Sequence, residues 1–558
     1  MKQRQWPVVA DGRIEKTVKK MSLEEKIGQM MVVGSPDRYE GTLSDELVEM
    51  IEDYHVGGVD VMARTANVPT VVKEYTAKIQ ETAAQAGAVA PLLVVADQEG
   101  GIVMQLTKDA SLFPGNMALG AVGDEDCAYR VAKAIAKESL AAGINTVTAP
   151  CLDVNTEPDN PIIGLRAFSD SPELTGKLGT AMIRGFEEAG VVSCGKHFPG
   201  HGGSELDTHL AFPELNLSRQ EMEAVHLAPF RSAVFSGVSS VMTSHINYPA
   251  LSGKKEVPAT LCPRILTDLL RATMKFQGVI ITDCLEMDAV KKWIGTTKAA
   301  VESIKAGADI VLFSHTPAEQ KKAFHAIFQA VSRGEIPQGQ IENSVQRILA
   351  LKLKKHAQWE KAGKEEVVSF AKHVDLEEET AARSITLVRN EDRLIPLTAG
   401  SGKKIAVIYP KNMPLLREED LRDDAGIIVA EVRKRCPRVV PVRVELPPTT
   451  ENIASALAAA EEADYIIVAT STKTAAQEKI QGVLVQKLLA TKKPVIAVAV
   501  RNPYDLRSYP EARTYLTTYG YRPCSIRAAA AVIFGERKPA GKLPVAIEGL
   551  YPRGHGLS

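Results

Sequence analysis

The chain has 558 residues, a formal net charge of −1, 45% apolar residues and 24% charged ones. That balance excludes an intrinsically disordered chain and gives no global field toward nucleic acid or an anionic membrane. The length exceeds what one hydrophobic core organises, so two or more domains are expected.

The N-terminus, MKQRQWPVVADGRIEKTVKK, is basic without the apolar core of an export signal. No run reaches the roughly 18–20 apolar residues of a membrane span. The seven cysteines (127, 151, 194, 262, 284, 436 and 524) contain no CxxC pair, which fits free thiols in a reducing compartment. Together these features read as cytoplasmic, although a protein whose leader had been removed would look the same.

Eight short β-rich runs follow, at 27–34, 56–63, 91–97, 144–154, 191–198, 239–246, 278–283 and 308–313. Helical patterns separate them, such as 43–54, 127–143 and 171–190. These apolar runs do not alternate, which suits strands buried on both faces of a parallel sheet. Eight strand-then-helix units predict a (β/α)8 barrel over residues 1–350, with an open doubly wound sheet as the alternative. A charged helical linker is expected over 351–385. A smaller three-layer α/β/α sandwich is expected over 386–558, with strands at 404–409, 439–446, 463–470, 494–500 and 544–549.

Polar residues out of place in such a sheet fall at or just past the strand ends, where barrel enzymes hold their chemistry. Asp97 follows the third run and Arg166 lies in the loop after the fourth. Lys196 and His197 close the fifth, His245 the sixth and Asp283 the seventh. Each alone reads as an internal ion pair or, for Asp283, as a helix cap. As a set they define a candidate site. A carboxylate at Asp283 is placed to attack an anomeric carbon, while Arg166, Lys196 and Asp97 hold hydroxyls through fixed donors and acceptors.

The segment GKHFPGHGGSELDTHLAFPEL (195–215) brings three histidines and an aspartate into one Pro- and Gly-broken loop. Asp207 beside His209 matches a carboxylate that orients an imidazole and stabilises its protonated form. The bland alternative is that both bond only to their own loop. A zinc site on His197, His201, His209 and Asp207 is a further reading. The Pro-Gly break after His197 removes the shared helix face of an HxxxH site, and no HExxH or cysteine set accompanies it. The expectation is therefore no metal and no cofactor.

With DQEGG (97–101), CLDVNTEPDNPIIGLRAF (151–168), KHFPGHG(x)4DTH (196–209) and ITDCLEM (281–287) in order, the chain resembles glycoside hydrolase family 3. Within it, the resemblance is to the two-domain bacterial β-N-acetylglucosaminidases of cell-wall recycling. ARSITLVRN (382–390) and GKLPV (541–545) resemble the two ends of the family's second domain. The resemblance implies Asp283 as nucleophile, His209 as acid/base assisted by Asp207, and Asp97, Arg166, Lys196 and His197 as contacts to the non-reducing sugar. It implies a retaining exo-β-N-acetylhexosaminidase acting on a small N-acetylglucosaminide, a muropeptide or a chitooligosaccharide. Phosphorolysis by the same residues, β-glucosidase activity and a silent sugar-binding protein are the competing readings.

Overall fold

The computed structural model describes residues 12–204, 213–253, 257–363, 373–398, 402–411 and 426–558. Its first domain is a closed barrel of eight parallel strands: β1 (Met31–Gly34), β2 (Gly58–Asp60), β3 (Leu93–Ala96), β4 (Thr146–Val147), β5 (Val192–Phe198), β6 (Ser240–Thr243), β7 (Val279–Cys284) and β8 (Ile310–Phe313). Each strand pairs with its neighbours in sequence, and β1 closes on β8 through Met31↔Val311. The eight predicted runs are these eight strands. Closure rules out the open doubly wound sheet.

Two local details differ from the sequence reading. The run 27–34 begins in a helix, Leu23–Gln29, started by a reciprocal capping box between Ser22 and Glu25. The run 144–154 is strand only at Thr146–Val147, because Pro150 has no N–H to donate to a ladder. Cys151 rejoins the sheet as an isolated bridge to Lys196.

The helix Gln338–Gly363 runs across the N-terminal end of the barrel and continues well into the stretch expected as linker. Arg347 and Ser344 bond Asp309 ahead of β8, Lys352 bonds Gln29 ahead of β1, and the indole of Trp359 donates to the Gly190 carbonyl ahead of β5. The first turns of that charged stretch are therefore a barrel element, with Leu351 and Lys352 buried.

Lys352 is the costly member, since among the described residues its ammonium bonds the neutral Gln29 amide, at 2.8 Å, and no carboxylate. Burial pushes its ammonium down to about 7. Between that value and the ordinary lysine range the unfolded chain binds a proton that the native chain does not. Stability therefore rises with pH through that window, and the penalty is full below about pH 7. Lys352→Met is expected to raise the denaturation midpoint at pH 6 and flatten its pH dependence. The gain is on the order of 1–4 kcal/mol, as when buried charge gives way to apolar volume. A lowered midpoint at pH 6 would contradict this.

The second domain is a six-stranded sheet of β9 (Thr386–Asn390), β10 (Ile405–Pro410), β11 (Val439–Val444), β12 (Tyr465–Thr470), β13 (Val495–Ala499) and β14 (Thr514–Thr517), in the order β9-β14-β13-β12-β10-β11. All pairs are parallel except β9 with β14. Four predicted strands match. The fifth, at 544–549, is not a strand, and β9 and β14 complete the sheet instead. Helices such as Thr450–Glu462 and Ala475–Ala490 join the strands, and Pro523–Ile533 follows the last of them.

The two domains share one apolar cluster, in which Ile102, Met117, Ile163 and Leu165 of the barrel pack with Leu516, Tyr504 and Tyr519. Polar contacts reinforce it. Asn155 donates to the Tyr504 hydroxyl at 2.9 Å, Arg507 pairs with Asp159 at 2.8 Å, and Arg522 donates to the Gly101 carbonyl at 2.7 Å. The second domain thus clamps the two barrel loops, after β3 and β4, that carry Asp97 and Arg166. No helix among the described residues is long and apolar enough to cross a membrane.

Candidate active site

The strand ends of β3, β5 and β7 and the loop after β4 deliver the predicted residues to the C-terminal mouth of the barrel. Lys196 and His197 are still within β5, and Asp283 is the penultimate residue of β7. Lys196 Nζ lies 2.5 Å from Asp97 Oδ1 and 2.6 Å from Glu99 Oε1. Glu99 also takes two bonds from Arg166, Nη2 to Oε1 at 2.8 Å and Nε to Oε2 at 3.0 Å. The fork of Arg166 then reaches His197 Nε2 at 3.3 Å. On its other side, His197 Nδ1 is 2.7 Å from Asp153 Oδ2. Asp97, Arg166, Lys196 and His197 therefore belong to one connected network.

Two of its members, Glu99 and Asp153, were not singled out from the sequence. Glu99 sits inside the quoted DQEGG, on a short hairpin of Gln98–Gly100 with Val103–Met104. Asp153 sits inside CLDV and is fully buried. It accepts from the backbone N–H groups of His197 and His201 and from the thiol of Cys151. The only signal for either was a charge inside an otherwise apolar or glycine-rich run.

The network fixes the charge states. Burial alone would raise the Asp97 carboxyl, but Lys196, Thr148 and Arg166 outweigh it and hold it at about 2. Glu99 is likewise lowered, because Arg166 and Lys196 overcome its burial. Asp153 is held well below the carboxylate range by His197 and His201 against burial. Burial works against Lys196 and Arg166 too, yet Asp97 and Glu99 raise the former and Glu99 the latter. Deeper in the mouth, Asp60 at the end of β2 goes the other way, up to about 7, through burial and the charge of Asp97. The result is a wall of permanently charged donors and acceptors, fixed before any ligand arrives.

Asp283 accepts from its neighbour's N–H, Cys284 N to Oδ1, at 2.7 Å. His245 is tied on both ring nitrogens, to Thr260 Oγ1 at 2.8 Å and the Cys284 carbonyl at 3.0 Å. The turn after β5 is shaped by glycine. At Gly202 a Cβ would sit 1.8 Å from the Val154 carbonyl, and Gly200 adopts φ 129°. This close approach seats His201 against Asp153. Asp207 and His209 lie outside the described residues. Of the suggested zinc ligands, His197 already spends Nδ1 on Asp153, and burial with His197 nearby lowers His201 to about 4.

An eight-stranded parallel barrel with such a charged network at the C-terminal mouth is the active-site face of a (β/α)8 enzyme. Residues 22–351 match the glycosyl hydrolase family 3 N-terminal domain and residues 385–550 the family's C-terminal domain. The chain belongs to glycosyl hydrolase family 3, in its two-domain form, and is a glycoside hydrolase. It is 30% identical to beta-hexosaminidase A of Pseudoalteromonas piscicida, covering 91% of this chain and 92% of that one. It is 27% identical to a beta-N-acetylglucosaminidase/beta-glucosidase of Cellulomonas fimi, over 95% of each. Among solved structures, a family 3 beta-N-acetylglucosaminidase from Paenibacillus sp. str. FPU-7 superposes with a TM-score of 0.88 at 34% identity, covering 94% of this chain and 99% of that one.

Proposed function

We propose that the protein is a retaining exo-β-N-acetylhexosaminidase that removes terminal β-linked N-acetylglucosamine. The observation that carries this reading is the joint presence of the prearranged Asp97–Lys196–Glu99–Arg166–His197 network and, in the sequence following β5, the DTH triplet at 207–209. The names of the relatives above support the N-acetyl sugar.

In the first step an Asp283 carboxylate oxygen bonds to the anomeric carbon. The glycosidic C–O bond breaks, and the leaving oxygen takes a proton from the His209 imidazolium. In the second step water attacks the same carbon, His209 accepts its proton, and the Asp283 ester bond breaks. Two inversions give net retention of the β configuration. Asp207 orients the ring, and an imidazole, whose ordinary pKa is near 6.5, serves both as acid and as base near neutrality. Arg166, Lys196 and Asp97 hold the sugar hydroxyls, and His197 is fixed beside them by Asp153.

His209→Ala is expected to lower kcat about 10²–10⁴-fold, the usual worth of a general acid/base. The loss should be smallest for substrates with acidic leaving groups. Equal losses on good and poor leaving groups would remove His209 from the acid role. Release of p-nitrophenol from the β-N-acetylglucosaminide and the β-glucoside, each with and without phosphate, tests the specificity. Cleavage confined to the N-acetyl substrate is expected. Preference for the plain glucoside would overturn the N-acetyl assignment, and sugar 1-phosphate formed with phosphate would make the enzyme a phosphorylase. The natural aglycone class proposed is a muropeptide or chitooligosaccharide, met in the cytoplasm.

A further inference from the structure

Two groups of metal-capable side chains occur among the described residues, Cys151–Asp153–His197 and Cys284–Glu286–His315, each with ligand atoms within 4.8 Å of one another. The first is closed upon itself. His197 Nδ1 is in direct hydrogen-bond contact with Asp153 at 2.7 Å, and Asp153 also accepts from Cys151 and two backbone N–H groups. No space is left for an ion between them.

The second group is built differently. Cys284 ends β7, Glu286 follows two residues later, and His315 stands two residues beyond the end of β8. The pairing Leu312↔Cys284 sets these neighbouring strand ends side by side. The Glu286 side chain is 1% exposed, and its Oε2 accepts from the His315 backbone N–H at 2.8 Å. Its Oε1 is buried with no hydrogen-bond partner among the described residues. A buried carboxylate oxygen without a donor is costly and calls for a counter-charge. His315 Nδ1 lies 3.5 Å from Glu286 Oε2. That separation is close to the edge of about 3.3–3.5 Å expected between ligands of a tetrahedral zinc ion at about 2.0–2.1 Å from each. The His315 side chain is 36% exposed, which gives an ion a route in from solvent.

We propose that Cys284, Glu286 and His315 bind one divalent cation of the zinc class, and that its binding slows glycoside cleavage. Sulfur, imidazole nitrogen and one carboxylate oxygen select zinc-like ions over magnesium or calcium. Three protein ligands leave the fourth position to water. A cysteine thiol is mostly protonated at neutral pH and binds zinc as its thiolate, so coordination exchanges one S–H proton, released to buffer, for one cation. The effect on catalysis rests on the nucleophile reading. The Asp283 carboxylate accepts the Cys284 backbone N–H at 2.7 Å, so a cation on the Cys284 sulfur lies near it, stabilises its charge and weakens its attack on carbon, by about tenfold or more in kcat.

The test is calorimetric titration of the full chain with Zn²⁺ in buffers of different protonation enthalpy, with Co²⁺ as a spectroscopic probe of thiolate coordination. The expected result is one equivalent bound with one proton released. Cys284→Ala should abolish the proton release and the thiolate-to-cobalt absorption. His315→Ala, at a partly exposed side chain, should weaken binding at least about tenfold while leaving metal-free activity unchanged. Unaltered binding in both variants, or no saturable binding to the parent chain, would overturn the site. Binding without loss of kcat would overturn the link to Asp283. A chain inactive on glycosides even without metal would count against the functional reading and leave the titration result intact.

Discussion

Asp283→Ala is expected to lose turnover on aryl β-N-acetylglucosaminides by roughly 10⁴–10⁶-fold, the range seen when a covalent nucleophile is removed. The carboxylate sits on the penultimate residue of β7, with one oxygen already bonded to the Cys284 N–H. Nothing else in the proposed mechanism can form the glycosyl ester. Substrate binding should survive, because the hydroxyl contacts are assigned to β3, β5 and the loop after β4. The signature is therefore a collapse of kcat with little change in affinity for a non-hydrolysed analogue. Loss of affinity equal to the loss of kcat would mean that the residue binds rather than reacts.

Glu99→Ala carries the second large effect, this time on stability and on the site together. Glu99 is the shared counter-ion of Lys196 and Arg166, and the exposures of the three side chains are 1%, 2% and 9%. Removing it leaves two cations close together in a dry place with Asp97 as the remaining carboxylate partner. Breaking a buried pair in this way costs about 3–5 kcal/mol. A fall in the thermal midpoint is expected, along with a raised KM, since Arg166 and Lys196 lose the anchor that aims them. The exposed pair Arg130–Glu379, at 42% and 40% exposure, is the control, where truncation should cost no more than about 1 kcal/mol. Equal effects at the two places would show that the network is not prearranged.

The barrel was legible in the sequence because strands buried on both faces are largely apolar without a period-two alternation, and turn residues and helical patterns separate them. The errors have equally local causes. The helix Leu23–Gln29 runs almost directly into β1, with the single polar Gln29 too slight a break to mark its end, while the Ser22–Glu25 capping box marked its start. In the second domain, Pro544–Val545–Ala546–Ile547 is apolar like a buried strand but folds back onto the barrel, where Ala546 N–H meets Asp170. The short β14, threonine and tyrosine with one leucine, gave too little apolar signal. The site was readable where charge falls at a strand end, as with Asp97, Lys196 and Asp283. Glu99 and Asp153 act through partners far away in the chain, 67 residues to Arg166 and 44 to His197. No local pattern encodes a pairing that only barrel closure creates.

The most direct test of the account is to trap the glycosyl-enzyme with a fluorinated N-acetylglucosaminyl donor and map the adduct by peptide mass spectrometry. One sugar per chain is expected, esterified to the peptide that contains Asp283, and absent from Asp283→Ala. A label on any other residue, or turnover to an α-configured product with no adduct, would contradict it.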